Sequence, residues 1–384
     1  MTSILERWFP FTRPADPLRP GMYASLPAPE APIPYRLHLR IEPDGTGILL
    51  VNASTVLHLN ASAAAHALEL IRGVPAEAAA AAVQRRFRVT RGRALADQRD
   101  LREQVLRLAT QPDLDPVVFL GMERQEPGSM RPSAPYRLDL ALTYATDPDG
   151  ALDPLARRRV DRELTTDEWK GVLKSAWEAS IPHVTFTGGE PTRRSDLADL
   201  IAYAQELGQV SGLLTQGRKL AQRDYLASLS GAGLDHILFS LAPDDKGSMA
   251  GLRAAMASDI FTAVHLILPR TLAKTRSIFE QLKALGVPAV SLTVTEPGGA
   301  GRALLPEARQ LLADLGIDLV WDLPAPYSHL HPIKLEVETL PEGGGRSWLY
   351  VEPDGDVLPT QGLGSVLGNA LRDSWADLWA RAAG

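Results

Sequence analysis

The spacing of apolar residues changes along the chain, and the changes divide it into segments. "YRLHLRIEPDGTGILLVN", starting at Tyr35, alternates apolar and polar positions in two runs around Asp44-Gly45, the pattern of a β-hairpin. Helical spacing follows in "ASAAAHALELIRG", "PAEAAAAAVQRRF" and "ALADQRDLREQVLRLAT". Gly73 is placed to stop the first helix, and Pro75 to sit in the first turn of the second. A hairpin followed by three short helices predicts a compact winged-helix-like α+β module over residues 35–110. Residues 1–34 are Pro-rich and read as an extended arm with little core of its own, and residues 111–134 as a linker dense in Pro and polar residues.

From Tyr136 apolar strands alternate with helical stretches. Strands are expected at "YRLDLALTY", "HVTFTG", "VSGLLTQ", "DHILFSL", "FTAVHLILP" and "PAVSLTVTE", with helices over 166–180, 195–207, 219–231, 248–258 and 271–286. Strand–helix units of roughly 25–40 residues indicate a parallel sheet with right-handed crossovers. Six units favour a partial or complete (β/α) barrel over an open sheet, and the reactive end of a barrel is the carboxyl end of its strands. This barrel is assigned to residues 135–325. Beyond Gly298 the pattern fades. Residues 326–384 form a C-terminal extension with a second Asp-Gly hairpin in "WLYVEPDGDVLPTQG" and a short amphipathic helix in "SWADLWARAAG".

Composition adds one hard exclusion. The 384 residues include no cysteine, so disulfides, thiolate zinc sites, cysteine nucleophiles and thiolate-bound iron–sulfur clusters are all ruled out. A net charge of -6 argues against nucleic acid as partner. No apolar run has membrane-spanning length, and "MTSILERWFPFTRPADPLRPG" lacks the layout of a signal peptide, so the chain is placed in the cytoplasm with no membrane partner. The apolar "ILERWFPF" reads as a loosely docked arm, with a partner-binding or membrane-surface segment as the alternative.

Candidate chemistry begins where the second barrel strand ends, at Thr187-Gly188-Gly189-Glu190-Pro191. Two glycines permit unusual backbone conformations and close approach of a ligand, and a carboxylate there suits an ammonium group. No Gly-Lys-Ser/Thr follows, so this is not a phosphate loop. A tight strand-to-helix turn is the plain alternative. "VTFTGGEPTRRSDL" resembles the second-strand motif of the radical S-adenosylmethionine (SAM) family, whose Gly-Gly-Glu contacts the amino-acid end of SAM. "GLLTQG" is similar to the family's third-strand "TNG", with Gln216 replacing Asn. "ILFSLAPDD" is similar to its fourth-strand "SLD", keeping Ser240 for the ribose and carrying Ala242 for Asp. "VTEPGGAGRA" resembles the stretch after the sixth strand, and "WLYVEPDGDVLPTQG" with "VLGNALRDSWADLW" a SPASM extension. The first module, around "VLHLNASAAAHALELIRG", resembles the PqqD-like peptide-recognition element found beside PqqE-like peptide-modifying enzymes. The resemblance implies a residual SAM pocket at Gly188, Gly189, Glu190 and Ser240.

The departures from that family fall on one function. Where its Cys-x3-Cys-x2-Cys is expected stand Thr146, Gly150 and Asp153, and Thr360 stands where the extension's cysteine would be. The resemblance therefore implies a degenerate homologue: a pseudoenzyme without a [4Fe–4S] cluster that binds a leader peptide and assists a partner enzyme in peptide modification. The alternative is an enzyme binding SAM or another nucleoside-like ligand for polar transfer or hydrolysis.

Other clusters are weaker. Asp147, Asp149 and Asp153 could hold a hard cation but fit a Pro/Gly turn better, and His329, His331, Glu336 and Glu338 read as a solvated strand edge rather than a metal site. His183 and His236 fall at strand starts, the structural end, and His265 reads as a satisfied core residue. The basic run "QRRFRVTRGR", Gln84 to Arg93, is equally consistent with attraction of an acidic peptide and with a solvated surface.

Overall fold

A computed structural model describes residues 17–25, 35–52, 55–111, 131–146, 160–293, 300–319, 344–361 and 365–383. It divides into two compact units, one of residues up to Ala134 together with Ala176–Pro182, the other of Pro135–Ser175 and His183–Gly384. Asp147, Asp149, Gly150, Asp153, the His329–Glu338 cluster and the "ILERWFPF" segment lie outside the described residues.

The first unit is a four-stranded antiparallel sheet in sequential order, β1 (Gly21–Ser25), β2 (Leu37–Ile41), β3 (Gly47–Val51) and β4 (Thr55–Leu59). Helices α1 (Ala61–Ile71), α2 (Ala76–Arg86) and α3 (Arg91–Thr110) follow. The expected Asp-Gly hairpin joins β2 to β3: Gly45 takes φ +86°, and Asp44 accepts from the Thr46 amide and hydroxyl. Strand alternation sends Leu37, Leu39, Ile41, Leu49, Val51, Leu57 and Leu59 into one core with Ala64, Leu68, Val83 and Leu101. Gly47 lets α1 close on the sheet, since a Cβ there would lie 2.8 Å from that of Ala64. The opposite face buries His38 and Arg40, with Arg40 donating to Ala134 O and Ser180 O and the His38 ring edge-on to Trp177.

Four local features differ from the pattern reading. Strand β4, which the two-stranded hairpin reading did not include, pairs with β3. The Pro-rich opening contributes strand β1 and the buried Leu18, because paired to β2 it gains the ladder that its sequence alone does not signal. Pro75 is the cap residue of α2 rather than part of its first turn. Helix α3 begins three residues earlier than its apolar spacing, where the Thr90 hydroxyl accepts from the Arg93 amide.

The second unit is an α/β fold built on a mixed ten-stranded sheet. Six parallel strands each pair with the next in sequence: β5 (Arg137–Thr143), β6 (His183–Gly188), β7 (Val210–Thr215), β8 (His236–Ser240), β9 (Phe261–Ile267) and β10 (Ala289–Thr293). The crossovers carry α4 (Thr166–Glu178), α5 (Leu197–Leu207), α6 (Arg223–Gly231), α7 (Lys246–Met256) and α8 (Leu272–Ala284). Each buries one stripe; on α5 it is Leu197, Leu200, Ile201 and Ala204. Order continues past Gly298, where fading was expected. Helix α9 (Ala300–Leu315) tolerates Pro306 in its interior, buries Ala308, Leu311 and Leu312, and leads to the short β11 (Asp318–Leu319) beside β10.

On the other side of β5 lies β12 (Trp348–Val351), parallel to it, then β13 (Asp356–Leu358) and β14 (Gly368–Asn369), before α10 (Trp375–Arg381). The second Asp-Gly hairpin, β12–β13, thus continues the barrel sheet. Among the described residues β11 and β14 end the strand order and do not pair with each other, so the barrel is partial. Asn369 ties the extension together, donating to Asp354 O and Asp356 while accepting from the Leu371 amide. No helix among the described residues is long and apolar enough to cross a membrane.

Two helical glycines should respond oppositely to alanine. A Cβ at Gly251 in α7 would meet the Gly217 carbonyl oxygen at 1.8 Å, so Gly251→Ala is expected to cost about 3 kcal/mol. At Gly171 in α4 nothing lies within 4 Å, and Gly171→Ala should stabilise by about 0.5–1 kcal/mol. Urea unfolding of the two variants checks both signs.

Candidate active site at the carboxyl rim of the sheet

The rim starts with an irregularity in β5. Its pairing with β6 shifts register between Ala141 and Thr143, a bulge that brings the end of β5 under the turn leaving β6. Thr143 O accepts from the Gly189 amide and Ala145 O from the Glu190 amide, each at 2.7 Å. Gly188 has φ +121°, and a Cβ on it would lie 2.1 Å from Thr143 O; one on Gly189 would lie 2.3 Å from Ala145 O. The two glycines are therefore required by one backbone pressing on another. Arg194 reinforces the contact by donating to Leu142 O and Leu164 O while forming a two-pronged pair with Asp196.

The Glu190 side chain turns inward and is 0% exposed. One carboxylate oxygen accepts from the Thr192 amide (3.1 Å), the Thr192 hydroxyl (2.6 Å) and the Thr215 hydroxyl (2.7 Å), and the other from the Gln216 amide (2.8 Å). Burial raises its pKa above the usual carboxylate value, with the hydroxyl and amide donors pulling the other way. The Lys219 ammonium passes it by, donating to Thr192 O at 2.8 Å and lying 4.1 Å from the Tyr225 ring centre. Burial, and then the Glu190 charge, push the Tyr225 hydroxyl well up.

The same pattern runs on around the rim. Ser248 donates to Gln216 O and accepts from the Ala242 amide, so the turn after β7 is tied to that after β8. Gly217, at φ +76°, packs against Phe239. Leu241 N–H then reaches His265 O on β9. Gly188, Gly189 and Glu190 thus share one hydrogen-bonded girdle with Gln216 and Ala242; Ser240 ends β8, half-buried, on the same rim.

At the expected cluster positions, Thr146 is half-buried just beyond β5 and Thr360 is 2% exposed behind β13. Near them a polar group absent from the sequence reading is buried: the Tyr144 hydroxyl donates to Glu352 at 2.8 Å and receives Tyr350 at 3.5 Å. Burial, reinforced by Tyr350 and Glu352, raises the Tyr144 pKa far above that of free tyrosine. Thr192, Thr215, Ser248, Arg194 and Asp196 also went unread. The one local signal was Glu-Pro-Thr, a carboxylate capping a turn with proline next, since Glu190 caps the short 3-10 turn Pro191–Arg193.

A family model for the radical SAM superfamily matches residues 144–299. The PqqA peptide cyclase of Gluconobacter oxydans (strain 621H) is 30% identical over 265 residues, covering 61% of this chain and 70% of that protein. The chain belongs to the radical SAM superfamily. The PqqA peptide cyclase of Streptomyces rochei is 28% identical over 288 residues, 66% of this chain and 75% of that protein. Crystal structures of Streptococcus suis SuiB bound to S-adenosylmethionine or to precursor peptide SuiA share the fold at 15% and 14% identity, with TM-scores of 0.55 and 0.54. Each covers 89% of this chain and 86% of SuiB. A cluster held by cysteine does not fit this donor set, because the sequence has no cysteine.

The amino end of the sheet carries two histidines. His183 opens β6 and His236 opens β8, their rings edge-to-face with centres 5.0 Å apart, and a Cβ on Gly212 of β7 would lie 2.4 Å from the His236 ring. Burial, then the positive charge of Arg137, pushes His236 down to about 4. His265 is buried against the Ser291 hydroxyl at 3.3 Å, as a core residue.

Removing the Glu190 carboxylate strands four donors in the interior, so Glu190→Ala should lower the unfolding free energy by about 3–5 kcal/mol in urea titration. His236 must stay neutral to remain folded. Its contribution is full above the ordinary value of 6.5 and is lost as pH falls toward 4. Between pH 7 and 5 that amounts to about 2 kcal/mol. Calorimetric unfolding should show a shallower acid dependence for His236→Gln.

Proposed function

We propose that this chain is a catalytically silent member of the radical SAM superfamily that binds a peptide through its N-terminal unit and presents it to a partner enzyme. The absence of every cysteine from a 384-residue chain carries the reading. Homolytic cleavage of SAM needs a cluster that ligates the sulfonium compound and delivers one electron, and oxygen ligands such as Thr146 and Thr360 do not replace thiolates in that role. The self-satisfied Glu190 carboxylate supports the same view, because a group already accepting four hydrogen bonds has little to offer a ligand's ammonium. Peptides enter through the relatives: PqqA peptide cyclases by name, and SuiB by its complex with a precursor peptide.

The N-terminal unit suits a PqqD-like role in binding. Strand β4 ends the four-stranded sheet, no strand among the described residues pairs with its outer edge, and Val56 on it is 44% exposed. An extended peptide adding there gains main-chain hydrogen bonds and needs nothing from the barrel. The other edge, β1, directly follows Pro20, which blunts it.

Gly188, Gly189, Glu190 and Ser240 also support a second reading, in which the rim binds SAM or a nucleoside-like ligand for polar transfer without a cluster. Titration calorimetry with SAM separates the two: the first reading expects no heat, and saturable binding lost in Ser240→Ala favours the second. Anaerobic reconstitution with iron and sulfide should leave the protein colourless and yield no 5′-deoxyadenosine on reduction; the opposite result would overturn catalytic silence.

A further inference from the structure

Resting on the proposed peptide binding, we infer that the α2–α3 corner of the N-terminal unit is an arginine platform for an acidic stretch of the bound peptide. Residues 35–110 carry eleven arginines, no lysine and seven carboxylates, a net charge of +4 that leaves the rest of the chain at -10. The excess is concentrated: from Ala78 to Ala96 there is no Asp or Glu, and five arginines. Three of these, Arg85, Arg88 and Arg91, are exposed, and no carboxylate among the described residues pairs with them. Arg86 bonds to Ala82 O, and Arg93 pairs with Asp97.

The corner is rigid. Phe87 is 5% exposed and anchors the turn in the core, its amide bonds to Val83 O, and the Gln84 side chain donates to Val89 O at 3.2 Å. Arg88 is therefore held out of the core between Arg85 and Arg91. The charge also has the wrong sign for the helix it opens. Helix α3 is twenty residues long, has no acid in its first turn, and begins with Arg91 and Arg93 at the end where its dipole disfavours cations. A surface selected for stability alone would place carboxylates there. Broken local rules without an internal compensation mark functional positions. Guanidinium groups, with planar forked donors and weak hydration, bind carboxylates in pairs.

The acidic remainder of the chain selects among anions. A net charge of -6 on the whole chain disfavours a long polyanion such as duplex DNA, whereas a short peptide brings only a few carboxylates to the corner.

The test uses the full chain and two fluorescein-labelled 20-residue peptides. Each has a Val/Thr-rich half, followed by Glu-Asp-Glu-Glu in one and Gln-Asn-Gln-Gln in the other. By anisotropy the acidic peptide should bind about tenfold more tightly in about 50 mM salt, with the difference gone by about 0.5 M. The R85A/R88A/R91A variant, altered only at exposed positions, should lose the difference and keep the affinity for the neutral peptide. Equal binding of the two peptides, no binding of either, or an unchanged preference in the triple variant would overturn the inference. So would a short DNA duplex competing as strongly as the acidic peptide. Hydrogen exchange separates this from the underlying reading. Slowed exchange over Thr55–Leu59 with equal binding of both peptides leaves sheet-edge binding standing and removes the arginine platform. An arginine-dependent preference without protection of Thr55–Leu59 keeps the platform and removes sheet-edge binding.

Discussion

A single buried carboxylate joins the turns on which radical SAM chemistry would depend. Glu190 accepts hydrogen bonds from Thr192 in its own turn and from Thr215 and Gln216 in the next, while its amide is held by Ala145 at the end of β5. A buried carboxyl group is costly unless it is hydrogen-bonded, and here four donors of the protein meet it. Ser248 extends the linkage to the turn after β8. The carboxyl rim holds its shape through side-chain and main-chain hydrogen bonds among its own residues and depends on no thiolate.

That independence explains how half of a site can persist without the other half. Gly188 and Gly189 have no room for a Cβ, because Thr143 O and Ala145 O lie against them. The glycines and the glutamate at this rim are under structural constraint from the chain itself. A motif held in this way stays legible in a chain that has no cysteine.

Much of the fold could be read from the sequence because its signals are local. The two Asp-Gly hairpins, the three N-terminal helices and all six barrel strands follow from turn residues and apolar period. What escaped was set by partners distant in sequence. Strand β1 has little apolar patterning and exists by pairing with β2. Helix α9 contains Pro306 and is held by burial of Ala308, Leu311 and Leu312. The C-terminal hairpin was visible, yet its place beside β5 was not, because parallel pairing over some two hundred residues leaves no local trace.

For the site, the sequence by itself settled which atoms are available: no thiolate ligand exists in the chain, and no fold can supply one. It also marked the Gly188–Glu190 turn as special. Only the tertiary structure decided what that turn does with its groups. Whether a carboxylate faces a ligand or its own neighbours depends on where Thr215 and Gln216 stand in space, and they are brought to Glu190 by the pairing of β6 with β7. Composition bounds chemistry by listing donors, whereas hydrogen bonding allots them, and that allotment is a property of distances the linear chain does not contain.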